Sequence, residues 1–190
     1  MKLHLCCGNV YLDGYVNVDI YIDGKTKYAC HNPELVEQMK TTLGNYYKFE
    51  FGNVPMRQLR LVDRPMDLRL FFPTEDGPYE QIVMVQGIEH FFRHEAIDIL
   101  KRCWENLIEK GQLLLDFPDV LASAKMIEEG KDELAMRYVY CSGRDQYSVH
   151  KWGWTFEMME EVLKAIGFSQ IDKWEGIEHQ YPTIGVRAVR

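Results

Sequence analysis

The stretch LHLCCGNVYLDGYVNVDI, Leu3 to Ile20, restricts the possible folds of this chain more than any other. Two apolar runs, Lys2 to Leu5 and Val16 to Ile20, read as strands. Only a loop holding Gly8 and Gly14 lies between them. If the two strands are parallel neighbours, that crossover is far shorter than the usual helical connection. The second run closes on an acid, Asp19.

Helical and strand patterns alternate over the rest of the chain, which favours an α/β sheet with helices on both faces. Pro33 and Glu34 open an expected helix to about Leu43, with Asn32 as N-cap. The aromatic YYKFEF, Tyr46 to Phe51, reads as an edge strand or an ordered loop, and as a lid or a dimer surface. RLVDRPMDLR reads as a short strand broken near Pro65. Gln81 to Gln86 is a continuous apolar run with polar ends, the mark of a buried parallel strand. A helix follows over about 93–108, with Ile97, Leu100, Cys103, Trp104 and Leu107 as its apolar face. GQLLLDFPD is the next buried strand. A helix over 156–166 has Thr155 as N-cap and Gly167 as C-cap. FSQIDKWEGI and TIGVRAVR form a closing antiparallel pair. The 190 residues fit one domain, with no repeat and no linker.

Composition excludes several classes. A net charge of −7 argues against nucleic acid as the main partner, because phosphate binding draws on Lys and Arg. No apolar run reaches the length of a membrane span, and the N-terminus lacks a signal-peptide core. Five cysteines without a C-x-x-C speak against a disulfide framework or structural zinc, so a reduced, cytoplasmic protein is expected.

In open α/β sheets ligands sit beyond the carboxyl ends of the strands. The residues there are Cys6, Cys7, Gly8 and Asn9, then Asp19, Asp67, and the run Gln86, Gly87, Ile88, Glu89, His90, then Asp116 and Asp119. This is a nucleoside-binding set. Glycine lets backbone approach a ligand, an acid after the second strand can accept from both ribose hydroxyls, and a later Asp can accept from an adenine amino group. The plainer reading is that Asp19 and Asp67 only cap loops. Neither G-x-G-x-x-G nor a P-loop is present, which fits a cofactor without a pyrophosphate.

LHLCCGNVYLDGYVNVDI resembles the opening of a branch of class I S-adenosylmethionine-dependent methyltransferases. IVMVQGIEHF, ILKRCWENLIEKGQLLLDFPD and KWGWTFEMMEEVLKAIGF resemble later parts of the same family, in the same order. The likeness leaves out about 22–61, which is expected to be an insertion. It implies a Rossmann-like, mostly parallel seven-stranded sheet with an antiparallel last strand, and S-adenosyl-L-methionine as cofactor. It places Cys6, Cys7, Gly8 and Asn9 at the methionine end, Asp19 at the ribose, Asp67 and Leu68 by the adenine, and Gln86, Gly87 and Ile88 beneath the cofactor. The chain departs from the family pattern in two places: His4 and Cys6 stand where Asn and Gly are usual, and the usual acidic start of the fourth strand is shifted, with Glu80 and Gln81 standing there. Cys6 is expected at negative φ, since a positive value is costly for any residue but glycine.

Methyl transfer is an in-line displacement at a carbon already activated by the sulfonium, so alignment matters most. His90 is the candidate base for a hydroxyl acceptor; alternatively it only braces the loop. Glu89 is expected to orient His90 or pair with Arg93. His90 and His94 have a metal-like spacing, but no third ligand stands out, so no metal is expected. His150 and Trp152 in YSVHKWGWTF are candidates for contact with the acceptor, while Trp154 packs the following helix. The resulting expectation is a methyltransferase acting on a small molecule. O-methylation of a saccharide or related metabolite is favoured, because relatives with an HKWGWT stretch are often associated with polysaccharide synthesis. The rival is a catalytically inactive methyltransferase-like domain that binds the cofactor or a protein partner. A homodimer stays open.

Overall fold

The structure, a computed structural model, describes residues 1–47, 59–179 and 181–190. Lys48 to Phe51 of the aromatic stretch lie outside the described residues. In chain order the strands are β1 (Lys2–Leu5), β2 (Tyr11–Leu12), β3 (Tyr15–Asp19), β4 (Thr26–Tyr28), β5 (Lys40–Thr41), β6 (Arg60–Val62), β7 (Arg64–Pro65), β8 (Tyr79–Val85), β9 (Leu107–Pro118), β10 (Ser169–Lys173) and β11 (Thr183–Val189). The helices are α1 (Pro33–Met39), α2 (Arg93–Asn106), α3 (Val120–Glu128), α4 (Asp132–Tyr140) and α5 (Phe156–Ile166).

A seven-stranded sheet runs in the order β10-β11-β9-β8-β1-β3-β7. The pairs from β9 to β7 are parallel, and β11 is antiparallel to both its neighbours. The strand order reverses between β1 and β8. β1 and β3 are parallel neighbours, as the opening stretch implies. Their crossover holds β2 and no helix, and β2 pairs instead with β5.

Alternation along the central strands builds two layers of core. Leu3, Leu5, Ile82, Met84, Leu113 and Leu115 face α2 and α5, which bury Ile99, Leu100 and Cys103, and Met159 and Leu163, against them. Val83, Val85 and Leu114 point the other way, onto Val10, Leu12 and Tyr46, with Trp174 and Ile177 at the margin. The buried face of α2 is Ala96, Ile99, Leu100 and Cys103, and Ile97 and Trp104 are only partly covered. In α5 the Thr155 hydroxyl accepts from the Met158 amide, and Gly167 ends the helix at φ +120°.

The expected helix from Pro33 to Leu43 stops at Met39. Asn32 does not cap it; its side-chain amide donates to the Tyr28 carbonyl. Helices α3 and α4 fill a region that the sequence pattern leaves unassigned. Asp119 starts α3 by accepting from the Leu121 and Ala122 amides. Among the described residues no helix is long and apolar enough to cross a membrane.

Candidate active site

The carboxyl ends of β1, β3 and β8 open onto a cavity of about 270 Å³. Cys6, Gly8, Asp19, Asp67, Gln86 and Gly87 line it together. Two backbone features shape its floor. The Cys7 amide continues the ladder to the Val18 carbonyl at 3.1 Å, and the Gly8 amide donates to Asp19 Oδ2 at 2.6 Å. The other carboxylate oxygen of Asp19 accepts from the Ile20 amide at 2.7 Å, and Arg60 Nε stands 3.6 Å from it. Asp19 thus clasps the two strand ends. Burial raises its pKa, against the opposing pull of Arg60 and the two amides.

Cys6 corrects the expectation of negative φ: it sits at +53°. The turn is dictated by the ladder and the Asp19 clasp on either side, and these override the local preference. Gly87 makes the room, because a Cβ there would lie 2.8 Å from Cys6 Cβ. Burial, foremost, pushes the Cys6 thiol well up, so it is not a thiolate.

Other residues from the sequence reading fall elsewhere. Cys7 is buried with its sulfur 3.7 Å from the Leu61 carbonyl. Leu68 and Ile88 turn into the core, and Asn9 does not line the cavity. Asp67 is held by Arg69, with Nε–Oδ1 at 2.9 Å and Nη2–Oδ2 at 2.5 Å, and these bonds keep its carboxyl below the usual range.

A second cavity, of about 500 Å³, adjoins the first. Gln86, His90 and Cys141 line both. The second is further walled by Glu89, His150, Tyr138 and Tyr181. Gln86, at φ +50°, is pinned on three sides: its amide donates to the Asp116 carbonyl, its Nε2 to Asp116 Oδ1 at 2.7 Å, and its Oε1 accepts from Tyr181.

The two histidines are set in the same tautomer. His90 Nδ1 lies 3.1 Å from the Val149 carbonyl, and His150 Nδ1 lies 2.9 Å from the Tyr138 carbonyl. A carbonyl only accepts, so each Nδ1 carries hydrogen and each Nε2 keeps a lone pair. Burial, aided by the neighbouring His150, holds the His90 pKa at about 4, and burial lowers that of His150. The rings meet edge to face at 4.8 Å. Glu89 is 2% exposed, and neither carboxylate oxygen has a hydrogen-bond partner. Burial pushes its pKa up to about 8. It pairs with neither His90 nor Arg93; its Oε1 lies 3.8 Å from His150 Nε2. The Glu89 carbonyl accepts the Lys151 amide at 2.8 Å, which ties the HKWGW stretch to the end of β8. Trp152 is 37% exposed and lines neither cavity, while Trp154 is buried in the core. His94 faces away, its ring stacked on Phe92.

Sequence reasoning misses Arg60, Cys141 and Tyr181. Only the fold brings them to the strand ends, and no local motif marks them.

The sheet, its switch point and its one reversed strand are those of the class I S-adenosylmethionine-dependent methyltransferase fold, and solved structures bear this out. Human N-acetylserotonin methyltransferase in complex with SAM matches at TM-score 0.53 and 12% identity, over 100% of this chain and 47% of that one. Magnesium protoporphyrin IX methyltransferase from Synechocystis with bound SAH matches at 0.52 and 13%, over 100% and 74%. An O-methyltransferase family protein from Burkholderia thailandensis matches at 0.54 and 9%, over 100% and 50%. The chain thus spans about half the length of the first and the last of these. No protein-family model and no curated protein matches the sequence.

Proposed function

We propose that this protein is a cytoplasmic S-adenosylmethionine-dependent methyltransferase of a small molecule, with O-methylation of a saccharide or related metabolite as the favoured reaction. One observation carries the reading. Two cavities at the switch point of the sheet share a wall made of Gln86, His90 and Cys141. A methyl donor in one and an acceptor in the other would meet across that wall, in the alignment the displacement needs.

In this reading the smaller cavity holds the cofactor, with Cys6, Gly8 and Gly87 near its methionine end, Asp19 toward the ribose, and Asp67 toward the adenine. The cofactor supplies the activated methyl group. Asp19 keeps accepting capacity on both oxygens after its two amide bonds. Glu89 and His150 face the acceptor. His90 Nε2, unprotonated and on the shared wall, takes the acceptor's hydroxyl proton. Protonation of a buried His90 is unfavourable, so the imidazolium releases that proton to solvent as the methylated product leaves.

A specific observation keeps the rival in view: Asp19 is already engaged with two amides and beside Arg60. A domain that holds the cofactor without turnover would tolerate this. Calorimetry with S-adenosylmethionine, followed by methyl-release assays on a metabolite panel, separates the readings. Methyl transfer should fall about 10²- to 10⁴-fold in His90→Ala, with cofactor affinity little changed. Absence of cofactor binding to the native protein would refute the methyltransferase and the cofactor-holding form of the rival, leaving only a domain that binds a protein partner; binding without transfer to any acceptor would favour the rival.

A further inference from the structure

We infer that His90, Cys141 and His150 form a three-ligand binding site for a divalent zinc ion on the shared wall of the two cavities, with the Glu89 carboxylate beside it. One ring nitrogen of each histidine and the Cys141 sulfur all lie within 4.8 Å of one another. In a tetrahedral site, ligand atoms stand roughly 3.5 Å apart, so the widest pair has to close by about 1 Å. Cys141 and His150 bracket a loop between α4 and α5, where the backbone can take up that movement.

Three features point to a cation. First, both imidazoles spend Nδ1–H on a backbone carbonyl, Val149 for His90 and Tyr138 for His150. That is the outer-shell arrangement that orients a metal-bound histidine and leaves Nε2 free. Second, Glu89 is an acid with no hydrogen-bond partner, 2% exposed, and 3.8 Å from His150 Nε2. A buried group in that state is costly unless something pairs with it. Third, the charges balance. One thiolate and one carboxylate cancel a divalent ion, so a bound cation would not repel a positive ligand in the adjoining cavity. Two imidazoles and a thiolate suit zinc over calcium or magnesium.

The inference rests on the methyltransferase reading and changes one role in it: zinc would occupy His90 Nε2, so the ion, through its open fourth position, would take over from a free His90 by polarising the acceptor hydroxyl as a Lewis acid. Zinc binding requires that the Cys141 thiol lose its proton to solvent.

The test measures metal binding in the absence of any methyl donor. Untagged, chelator-stripped protein is titrated with Co²⁺ and followed by absorption, and Zn²⁺ then competes. The expected result is one ion per chain, a thiolate-to-cobalt charge-transfer band, and its displacement by Zn²⁺. Cys141→Ser should remove the band, and His150→Ala should weaken Zn²⁺ at least 10-fold, with circular dichroism unchanged. His94→Ala and Cys30→Ser should leave both readouts as they are. Failure to bind one equivalent, or a band that survives Cys141→Ser, overturns the site. Since no cofactor is present, zinc binding without S-adenosylmethionine binding would sink the proposed function and leave the site standing; the reverse outcome would do the opposite.

Discussion

His4 stands on β1 in register with Asn17 on β3, fully buried where the related pattern has asparagine. Asn17 donates through Nδ2 to the Leu12 and Tyr15 carbonyls, which fixes its Oδ1 as the acceptor facing His4 Nδ1 at 2.9 Å. Nε2 then accepts from the Tyr46 hydroxyl at 2.8 Å. The neutral ring is fully satisfied, and burial lowers its pKa from 6.5 to about 4. The unfolded chain therefore binds more protons than the native one between those values, and stability rises with pH across that window. The gap amounts to about 3 kcal/mol in full, of which about 2.5 kcal/mol is lost between pH 7 and pH 4.5. His4→Asn removes this dependence but leaves the Tyr46 hydroxyl buried without its acceptor, at a cost of about 1–3 kcal/mol at pH 7. Urea unfolding of both proteins from pH 7 to pH 4.5 checks the reasoning, since every other titrating group is common to the two and cancels in the difference. The native protein should lose about 2.5 kcal/mol more than the variant over that range. Parallel stability curves would refute it, and would mean that the ring is protonated or hydrated in the folded state.

Asp19→Ala should weaken S-adenosylmethionine binding about 10- to 100-fold by calorimetry, through loss of charge-assisted hydrogen bonds. It should also lower stability by about 1–3 kcal/mol in urea, because the Gly8 and Ile20 amides and Arg60 lose their partner; unchanged stability would show that the clasp is not made. Gly87→Ala should cost about 1–3 kcal/mol by overpacking, since the added Cβ meets Cys6 Cβ and Met84 Cγ at 2.8 Å each. Cys6→Gly alone should be neutral or stabilising, as relief of a left-handed φ outweighs the entropy of glycine, and in the double variant it should recover part of the Gly87→Ala loss. Strict additivity of the two changes would mean that the side chains do not meet.

Much of the fold is legible because it rests on short-range pattern. Ile82 to Val85 and Leu113 to Leu115 are buried on both faces of the sheet, so they read as unbroken apolar runs. Thr155 and Gly167 bracket α5 with cap chemistry that is local by nature. Helix α3 escapes notice because its apolar positions stay exposed, Leu121 and Ile127 among them, so burial had imposed no clear period. The site is legible only where it consists of strand ends. Asp19 and Gly8 can be paired from the sequence because parallel strands put their carboxyl ends side by side. The meeting of His90 with His150, and of Arg60 with Asp19, depends on chain segments far apart in sequence, and no spacing rule reaches them. The i, i+4 pair His90 and His94 shows the converse error: the spacing is right for one helix face, but His90 lies in the 3-10 turn before α2, so the two rings do not share a face.

Backbone strain marks the same place by an independent route. Of the five non-glycine residues at positive φ among those described, three are Cys6, Gln86 and Cys141. All three line the smaller cavity, and two of them form the wall it shares with the larger one. Each such residue costs on the order of 1–2 kcal/mol and persists only where its surroundings over-determine it. For Gln86 the restraint is visible in Asp116 and Tyr181, which hold both ends of its side chain while its amide reaches the Asp116 carbonyl. For Cys6 it is the strand ladder on one side and the bare α-carbon of Gly87 on the other. Neither φ is one these residue types favour: an asparagine or glycine would sit there with less strain. What the strained turns do achieve is to aim the ends of two neighbouring strands, β1 and β8, and the end of helix α4 at the place where the two cavities meet, and that convergence is what any transfer across the wall requires.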